Sequence, residues 1–570
     1  MNSLTIAAVS AVLYLIAYNT YGRFLSRKIF KVNSKAHCPS KTHHDGIDFV
    51  ATDKLVLFGH HFTSIAGTGP IVGPAIAIIW GWVPALVWIL IGSIFMGAVH
   101  DFGSMMISLR HEGRSIGDIA GDMINPRVKS LFMLIIFFSL WIVVAIFGVV
   151  IASVFSIFPQ SVIPVWLQLP IAIWLGFMVY KRKKSHILYG LIATVLMYAT
   201  IAVGAFIPVE LPTIGSLSGV GGWVILLLIY AYIASTLPVT VLLQPRDYIN
   251  AFQLCIAMGL LLLGIIFTHP PMVAPPLNLD APGAPPIFPL LFITVACGAI
   301  SGFHSLVSSG TSSKQCDQET SALPISYGGM LLEGMLAVIV IIACGAGIGL
   351  GLDKDGTLFT GIEAFNQQYA SWESAKGLGA KIAAFVTGSS NMIAGLGIPK
   401  NIVLTLMGVF VASFAATTLD TATRLQRYIV SEIANSCRIP ALGEKHPATF
   451  IAVSTALLLA FSSGGGKGAL ALWPLFGAIN QLLGGLALLV ITVWLARKTI
   501  STVFTAIPMI FMIVMTGWAM KINLYDFYTT EKWLLFSIGT IISLLQIWMI
   551  IEGLTVLFKL KKQPPNPALD

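Results

Sequence analysis

Residues 59–70 read GHHFTSIAGTGP, and a second Gly-Pro pair follows at 73–74. The two prolines and the clustered glycines lie in an apolar run, 62–80, that is long enough to cross a bilayer. Proline and clustered glycine interrupt the hydrogen-bond ladder of a helix, and a membrane tolerates such backbone only where it lines a cavity or is covered by protein. This stretch therefore predicts a broken helix at membrane depth.

A second segment, residues 298–311, reads GAISGFHSLVSSGT and repeats the pattern. Residues 62–69 align with residues 303–310, with the same Phe, Ser and Gly in matching places. The alignment predicts unwound backbone around Ala66–Pro70 and Ser305–Gly310, with the two breaks facing each other. Paired broken helices in inverted repeats indicate the central site of a transporter. The alternative is chance recurrence of small residues at helix contacts.

The composition of the whole chain requires a membrane. Of 570 residues, 56% are hydrophobic and only 10% are charged, whereas a soluble domain carries about 25% charged residues. The net charge of +9 comes from Lys and Arg in short loops between apolar runs, so it indicates orientation and not a nucleic-acid partner. The six cysteines are scattered without a CxxC pair, which argues against a disulfide framework or a zinc site.

The apolar runs predict an all-α polytopic membrane protein with about fifteen transmembrane helices. The runs are 4–21, 62–80, 83–107, 131–156, 164–180, 186–207, 221–243, 251–268, 288–308, 326–351, 398–420, 447–462, 470–496, 501–520 and 532–557. Positive charges follow the odd-numbered runs, so the N-terminus is predicted outside and the C-terminus inside. The first run lacks a cleavage site and is predicted to be a retained helix. Residues 352–397 become a long external loop, with a short amphipathic or re-entrant segment near Lys381 to Ile393 as the alternative.

These runs suggest three parts of the chain. Residues 1–58 hold the first helix and a basic cytoplasmic loop, and residues 498–570 hold two C-terminal helices and a cytoplasmic tail. Residues 59–497 form the transporter core, with inverted repeats starting near 59 and 298.

Ionisable side chains inside the apolar runs are functional candidates, because a charge at membrane depth costs about 2.5–3.5 kcal/mol. The carboxylates among them are predicted ion-coupling groups: Asp101, Glu333 and Asp420. For Asp420 the alternative is a pair with Arg424 at the i+4 position. Arg246 and Asp247 are interpreted as solvated charges at a helix end.

An anion bound between the broken segments is predicted to be held without a buried Arg, because no Lys or Arg occurs at 60–109 or at 248–313. Backbone amides and hydroxyls at a half-helix N-terminus can hold an anion instead. The candidate substrate-binding residues are His61, Ser64, Gly67, Thr68, Gly69, His304, Ser305 and Ser308. The alternative is a basic side chain reaching in from Lys314 or Lys400, and His304 could instead be a packing residue.

Four segments resemble the carbon starvation protein A family, and the likeness covers most of the chain. They are GHHFTSIAGTGPIVGP (59–74), LQPRDY (243–248), SGFHSLVSSGTSSKQ (301–315) and TTLDTATR (417–424). The resemblance implies an inner-membrane importer of small carboxylates such as pyruvate, and of small peptides, expressed when carbon is scarce. It also implies a five-plus-five inverted-repeat fold, which requires a two-helix insertion near 221–268 between the repeats. In this fold the run 398–420 supplies hydroxyl ligands for sodium in sodium-coupled relatives. Thr417, Thr418 and Thr421 are therefore candidate ion ligands, opposite the carbonyls around Ile65 and Ala66.

We expect a secondary symporter driven by a proton or sodium gradient, with no cofactor besides the coupling ion. One alternative is a membrane-embedded metal enzyme using His60, His61, His100 and Asp101. Against it, the sequence lacks HExxH and GxSxG motifs, and adjacent histidines point about 100° apart on a helix. Another alternative is an ion channel, although one inverted pair in a single chain favours alternating access.

Overall fold

The computed structural model of the protein describes residues 2–562. Among these residues, twelve helices are long and apolar enough to cross a membrane, and one further pair of helices is bent by 44° at a short break. The all-α membrane fold is thereby confirmed. The number of fifteen helices, the orientation and the division into three parts remain predictions.

The helices of the first half begin and end as follows. They are α1 (Ser3–Ala17), α2 (Pro39–Thr42), α3 (Lys54–Ile65), α4 (Gly69–Ala77), α5 (Trp82–Gly92), α6 (Ala98–Leu109), α7 (Ile116–Met123), α8 (Pro126–Ile157), α9 (Val162–Gly176), α10 (His186–Gly204), α11 (Gly219–Thr236) and α12 (Leu243–Thr268). Short π-helical or 3-10 segments lengthen some of them, so that single spans run over Ser3–Ile29, Trp82–Leu109 and Pro159–Lys181.

The second half contains shorter pieces as well as long spans. They are α13 (Ile287–Thr294), α14 (Ala296–Ile300), α15 (Gly302–Val307), α16 (Ser313–Gln315), α17 (Gly328–Gly345), α18 (Gly361–Gln368), α19 (Trp372–Ala375), α20 (Leu378–Ala394), α21 (Lys400–Ser436), α22 (Pro440–Gly443), α23 (Lys445–Ala460), α24 (Trp473–Arg497), α25 (Val503–Thr529) and α26 (Trp533–Lys562). Two strands, β1 (Leu352–Lys354) and β2 (Thr357–Phe359), form an antiparallel hairpin.

Local sequence explains where two of the central helices begin. The Asp53 side chain accepts a hydrogen bond from the Leu55 amide and starts α3. Asn125 accepts from the Val128 amide, and Pro126 occupies the first turn of α8. Both arrangements satisfy or remove N–H groups that have no partner at a helix start.

Burial divides the helices into an inner and an outer set. Helices α17, α21 and α24 are almost entirely buried, whereas α1, α10 and α26 leave much of their apolar surface exposed. Apolar side chains on such an outer surface face lipid in a membrane protein. The inner set, together with the broken segments, therefore surrounds the centre of the protein.

The first predicted break is confirmed, and the second lies elsewhere than predicted. Helix α3 ends at Ile65 and α4 begins at Gly69. In the second segment the backbone leaves helical geometry at Ser301 (φ −53°, ψ 116°), where α14 gives way to α15. The prediction of unwound backbone over Ser305–Gly310 was wrong, since helical structure continues there as α15 and a π-helical turn, Ser308–Ser312.

Side-chain hydrogen bonds explain the position of the second break. The Ser309 and Thr311 hydroxyls donate to carbonyls four residues earlier in their own segment, so this string is compatible with a helix. At the true break, Asn480 Oδ1 on α24 accepts from the Phe303 amide at 3.0 Å. A side chain from another helix thus provides the partner for a backbone group that the break leaves free.

The long loop at 352–397 contains the β-hairpin and three helices. Its last helix, α20, covers the segment near Lys381 to Ile393, where the sequence suggested an amphipathic or re-entrant piece. Helix α20 packs against α4, α17 and α21 and is largely buried on that side. The loop is therefore a structured cap, and it forms one wall of the cavity that reaches the helix breaks.

Candidate transport site

The two breaks lie at close range, although the second one is at Ser301 and not at the predicted Ser305–Gly310. A Cβ atom on Gly69 would lie 2.2 Å from the Cβ of Cys297, and one on Gly73 would lie 2.5 Å from the Thr294 carbonyl oxygen. Such distances are too short for any side chain. Glycine at 69 and 73 therefore allows α4 to approach the second broken segment closely.

Helix α21 packs its hydroxyl groups against the first break. The Thr418 hydroxyl donates to the Ser64 carbonyl at 3.2 Å, and the hydroxyls of Ser64 and Thr421 lie 3.0 Å apart. The predicted closeness of Thr418 and Thr421 to this break is confirmed. Thr417 instead accepts from the Asn250 amide group at 2.7 Å, on the side of α12.

His61 connects both broken segments to α6. Its Nδ1 lies 2.9 Å from the Ser312 hydroxyl, and its Nε2 lies 3.1 Å from Oδ2 of Asp101. The other Asp101 oxygen accepts a hydrogen bond from Ser308. All four side chains are fully buried. The structure thus brings together three predicted site residues, His61, Asp101 and Ser308.

A second buried pair joins His304 and Glu333. The two side chains approach to 3.1 Å between Nε2 and Oε2, and both are fully buried. Neither Glu333 oxygen has an aligned hydrogen bond in the described part of the chain. The His100 ring lies 6.4 Å from the His304 ring, and its Nε2 donates to the Ile300 carbonyl. No basic residue lies within one helical turn of Glu333 in the sequence, and His304 on α15 provides the basic neighbour in the structure.

Arg246 and Asp247 are buried, so their interpretation as solvated helix-end charges was wrong. Arg246 forms an ion pair with Asp420 and donates to the Tyr230 hydroxyl at 2.6 Å. Asp247 Oδ2 lies 2.5 Å from Nδ1 of His60. These charges occupy the first turns of α12, but α3 and α21 pack over those turns and exclude water.

Asp420 does not pair with Arg424, contrary to the alternative considered from sequence. Helix α21 continues to Ser436, so both residues lie inside a long helix and contact different neighbours. Arg424 donates to Oδ1 of Asp48 at 2.7 Å, and Arg427 contacts the other Asp48 oxygen at 3.3 Å. Burial favours a higher pKa for Asp48, but the two guanidiniums outweigh it and hold this pKa below its ordinary value.

The remaining predicted substrate contacts differ in whether they are free to bind. The Thr68 hydroxyl is buried and lacks a hydrogen-bond partner among residues 2–562, whereas Ser305 donates to the Gly302 carbonyl. Gly67 packs against Thr418, since a Cβ there would lie 2.4 Å from the hydroxyl oxygen. Thr68 is thus the most available polar group at the first break.

Neither lysine proposed as a rival anion site lies near the breaks. The Lys314 ammonium lies 4.1 Å from the centre of the Tyr428 ring, ten residues, or about 15 Å, along α21 from Thr418. Lys400 is exposed at the opposite end of α21, about 27 Å from Thr418. A site at the breaks is therefore built without them.

The histidines and acids do not form the metal constellation considered from sequence. Within the described residues, no three or more His, Cys, Asp or Glu side chains are grouped as metal ligands. His60 turns towards Asp247 on α12, and His61 turns towards Asp101 on α6. Adjacent histidines thus serve two separate carboxylates.

A cavity of about 1020 Å³ leads to the breaks from the predicted external end. Lys532 and Trp533 line it where they are exposed to solvent, and Gly69, Gly73 and Cys297 line it at the buried end. The cavity therefore connects the surface with the place where the two broken segments meet.

Long apolar helices, broken segments meeting below a cavity and buried ionisable pairs are the features of a membrane transporter. The family profile described as carbon starvation protein CstA matches residues 2–519. Peptide transporter CstA of Campylobacter jejuni is 34% identical over 92% of this chain and 80% of that protein. Pyruvate/proton symporter BtsT of Escherichia coli is 30% identical over 92% of this chain and 82% of that protein. The chain belongs to the carbon starvation protein CstA family.

A solved manganese transporter from Eremococcus coleocola aligns with 91% of this chain and 99% of its own, at 13% identity and a TM-score of 0.40. Family membership makes the protein a multi-pass inner-membrane secondary transporter of a small molecule. The enzyme and channel alternatives are not supported. Sequence reasoning missed the partners of the buried charges, because Tyr230 and Asp48 carry no motif that marks them.

Proposed function

We propose that the protein imports a small organic molecule bearing a carboxylate, and that protons drive this uptake. The observation that carries the proposal is His61, which bridges Ser312 on the second broken segment and Asp101 on α6. Relatives are named as peptide transporters and as a pyruvate/proton symporter. Pyruvate and peptides share a carboxylate, so one substrate chemistry covers both names.

The geometry around Asp101 supports coupling by protons. Asp101 contacts His61 from the first broken segment and accepts from Ser308 on the second. Hydrogen bonds to a charged carboxylate are stronger than those to a neutral one, so protonation of Asp101 weakens its hold on both segments. A proton that binds one arrangement of the segments better than the other shifts their equilibrium, as coupling requires.

The His304–Glu333 pair offers a second place for a proton in the same region. His304 belongs to α15, directly after the second break, and Glu333 belongs to the buried helix α17. A fully buried carboxylate without aligned hydrogen bonds is costly when charged. We therefore assign Glu333 to proton binding together with Asp101.

The start of α4 is the proposed site for the substrate carboxylate. In the first turn of α4, Pro70 has no N–H, and the amides of Ile71 and Val72 donate to the Thr68 carbonyl. The Gly69 amide and the buried Thr68 hydroxyl, which has no partner among residues 2–562, are therefore the donors for an anion at this helix start. The cavity ends at this point, since Gly69 and Gly73 line its buried end. A carboxylate at Thr68 and Gly69 would lie between the two broken segments.

Sodium is the second candidate for the coupling ion. Thr418 and Thr421 place hydroxyl oxygens beside the carbonyl and hydroxyl of Ser64, and hard cations prefer such oxygen ligands. Here the Thr418 hydroxyl donates to the Ser64 carbonyl, so a sodium ion would have to displace that hydrogen bond.

Uptake into liposomes separates the two ions. The purified protein is reconstituted, and labelled pyruvate and labelled dialanine are offered under an imposed pH gradient, a sodium gradient or neither. We expect a pH gradient with an alkaline interior to drive accumulation without sodium, and an uncoupler to abolish it. Accumulation that requires sodium and ignores the pH gradient would contradict proton coupling.

A further inference from the structure

In the described part of the chain three lysines line the external cavity, and one of them differs from the other two. Lys376 pairs with Glu373 at 2.5 Å, Lys532 pairs with Asp526 at 3.7 Å, and both lysine side chains are about half exposed. Lys381 is only 7% exposed and has no acidic partner within 4.0 Å among the described residues. A buried cation without a counter-ion is expensive, so its retention needs a reason.

Helix α20 and an aromatic ring hold Lys381 in place. Its ammonium lies 5.3 Å from the centre of the Trp473 ring, at the start of α24. A cation over the face of Trp is attracted by the ring, but this contact uses none of the three N–H donors. Burial lowers the pKa of Lys381 to about 8, so the side chain stays mainly protonated at neutral pH. Its donors therefore remain available to a bound anion.

The walls around Lys381 suit an organic anion. Trp372, Trp473 and Phe476 line the same cavity, which also reaches the glycines of α4. Apolar and aromatic walls with a few polar groups are typical of sites for small organic molecules. The stretches 60–109 and 248–313, which hold the broken segments, contain no Lys or Arg. Lys381 lies outside both stretches, so their lack of basic residues does not exclude a basic contact at this position.

We propose that Lys381 is the charged contact of an external subsite that receives the substrate's carboxylate before it reaches the helix breaks. The inference rests on the proposed substrate class, because an organic carboxylate is the ligand in both places. The anion would bind the Lys381 ammonium against the aromatic wall and then move along the cavity to Thr68. The two subsites are reached in sequence by a single path.

Kinetics of single variants test the charge at this position. Lys381→Gln should raise the KM for labelled pyruvate or dialanine about ten- to a hundredfold, as expected for loss of a charge-assisted contact, with little change in Vmax. Lys381→Arg should retain most of the affinity. Lys376→Gln and Lys532→Gln are matched controls that line the same cavity, and they should change KM less than about threefold, since exposed pairs contribute little.

Chemical protection tests the subsite without transport. The purified protein is treated with an acetylating, membrane-impermeant sulfosuccinimidyl ester, and modification of each lysine is quantified by mass spectrometry. Pyruvate and dialanine should protect Lys381 but not Lys376 or Lys532, and their neutral amide analogues should not protect it. Absence of protection, or an unchanged KM in Lys381→Gln, would overturn the subsite.

The two assays distinguish failure of the subsite from failure of the proposed function. Protection of Lys381 by carboxylates without any gradient-driven uptake would support the subsite and reject the coupled import. Proton-driven uptake in a protein whose Lys381 is neither protected nor required would support the coupled import and reject the subsite. If both are absent, both proposals are wrong.

Discussion

The two ends of the molecule differ in how they cover the broken helices. At the predicted external end, a cavity of about 1020 Å³ reaches the breaks between aromatic walls. At the predicted cytoplasmic end, ion pairs close the structure. Asp48 pairs with Arg424 and Arg427, and Glu319 forms an ion pair of 2.7 Å with Arg110. The same central site is thus open towards one side and sealed towards the other.

This asymmetry indicates one state of an alternating-access cycle. In the predicted orientation the structure faces outwards, with its substrate path leading in from the external side. Transport then requires the cytoplasmic ion pairs to separate and the external cavity to close. The buried pairs around His61 lie between the two ends, where a change in protonation can act on both.

The largest effect is expected for Asp101, which lies between the open and the closed end of the protein. Asp101→Asn removes the charge that holds His61 and Ser308. Breaking a buried pair costs about 3–5 kcal/mol, which corresponds to a factor of at least about 100. We expect pH-gradient-driven uptake to fall by that factor, while counterflow exchange of substrate without a gradient persists.

The control for this variant is Asp122→Asn. The Asp122 carboxylate is about half exposed, and the residue is distant in sequence from both helix breaks. This control variant should take up substrate like the unmodified protein. Gradient-driven accumulation that survives in Asp101→Asn would remove Asp101 from the coupling site.

The next effect tests the close contact of the two breaks. Gly69→Ala places a Cβ 2.2 Å from that of Cys297 and must push the broken segments apart. Overpacking of this kind typically costs about 1–3 kcal/mol, so we expect a lower Tm and strongly reduced uptake. Gly517→Ala is the matched control, because no atom of the described residues beyond its own stretch of helix lies within 4 Å of its added Cβ. Equal Tm values for the two variants would contradict the close contact.

A smaller effect is expected at the closed end. Asp48→Asn removes the carboxylate that two arginines share, and partial exposure limits the cost to about 1–2 kcal/mol. Weakening this end should favour the inward-facing state and reduce acetylation of Lys381 by the impermeant reagent. Glu112→Gln, at an exposed position, is the control. Unchanged acetylation in Asp48→Asn would show that these ion pairs do not hold the closed end.

The pKa of Asp48 also sets the pH range of this contact. Because its pKa in the folded protein is depressed, its stabilising contribution is present above its ordinary value near 4 and is lost only as pH falls through the lower folded value. The contact should therefore be constant between about pH 5 and 8. Any pH dependence of transport in that range must arise elsewhere, and a pH profile of Asp48→Asn parallel to that of the unmodified protein would agree.

The smallest effect separates the two coupling ions. Thr418→Val removes one hydrogen bond to the Ser64 carbonyl, worth about 1 kcal/mol, so proton-driven uptake should fall by roughly fivefold. The control Thr423→Val loses a hydroxyl whose hydrogen bond, within residues 2–562, is to the Leu419 carbonyl of its own helix. Complete loss of coupling in Thr418→Val alone would instead indicate a sodium site at this position.

The sequence by itself determined the membrane class, the first break and the identity of many buried polar residues. Those features are local: an apolar run and a cluster of glycine and proline act through their own backbone, whatever surrounds them. The serine-rich string at 305–310 was ambiguous for the same reason. Serine and threonine can satisfy a helix internally, so their presence did not fix the place of the second break.

Only the tertiary structure decided which charges meet. The partners of Arg246, Asp247 and Glu333 come from helices distant in sequence, and no spacing rule relates them. The sequence likewise does not show that Lys381 lies beside Trp473 inside the cavity, because this contact depends on how α20 packs. Local backbone chemistry is encoded within a few residues, whereas burial and charge pairing arise from packing between distant helices.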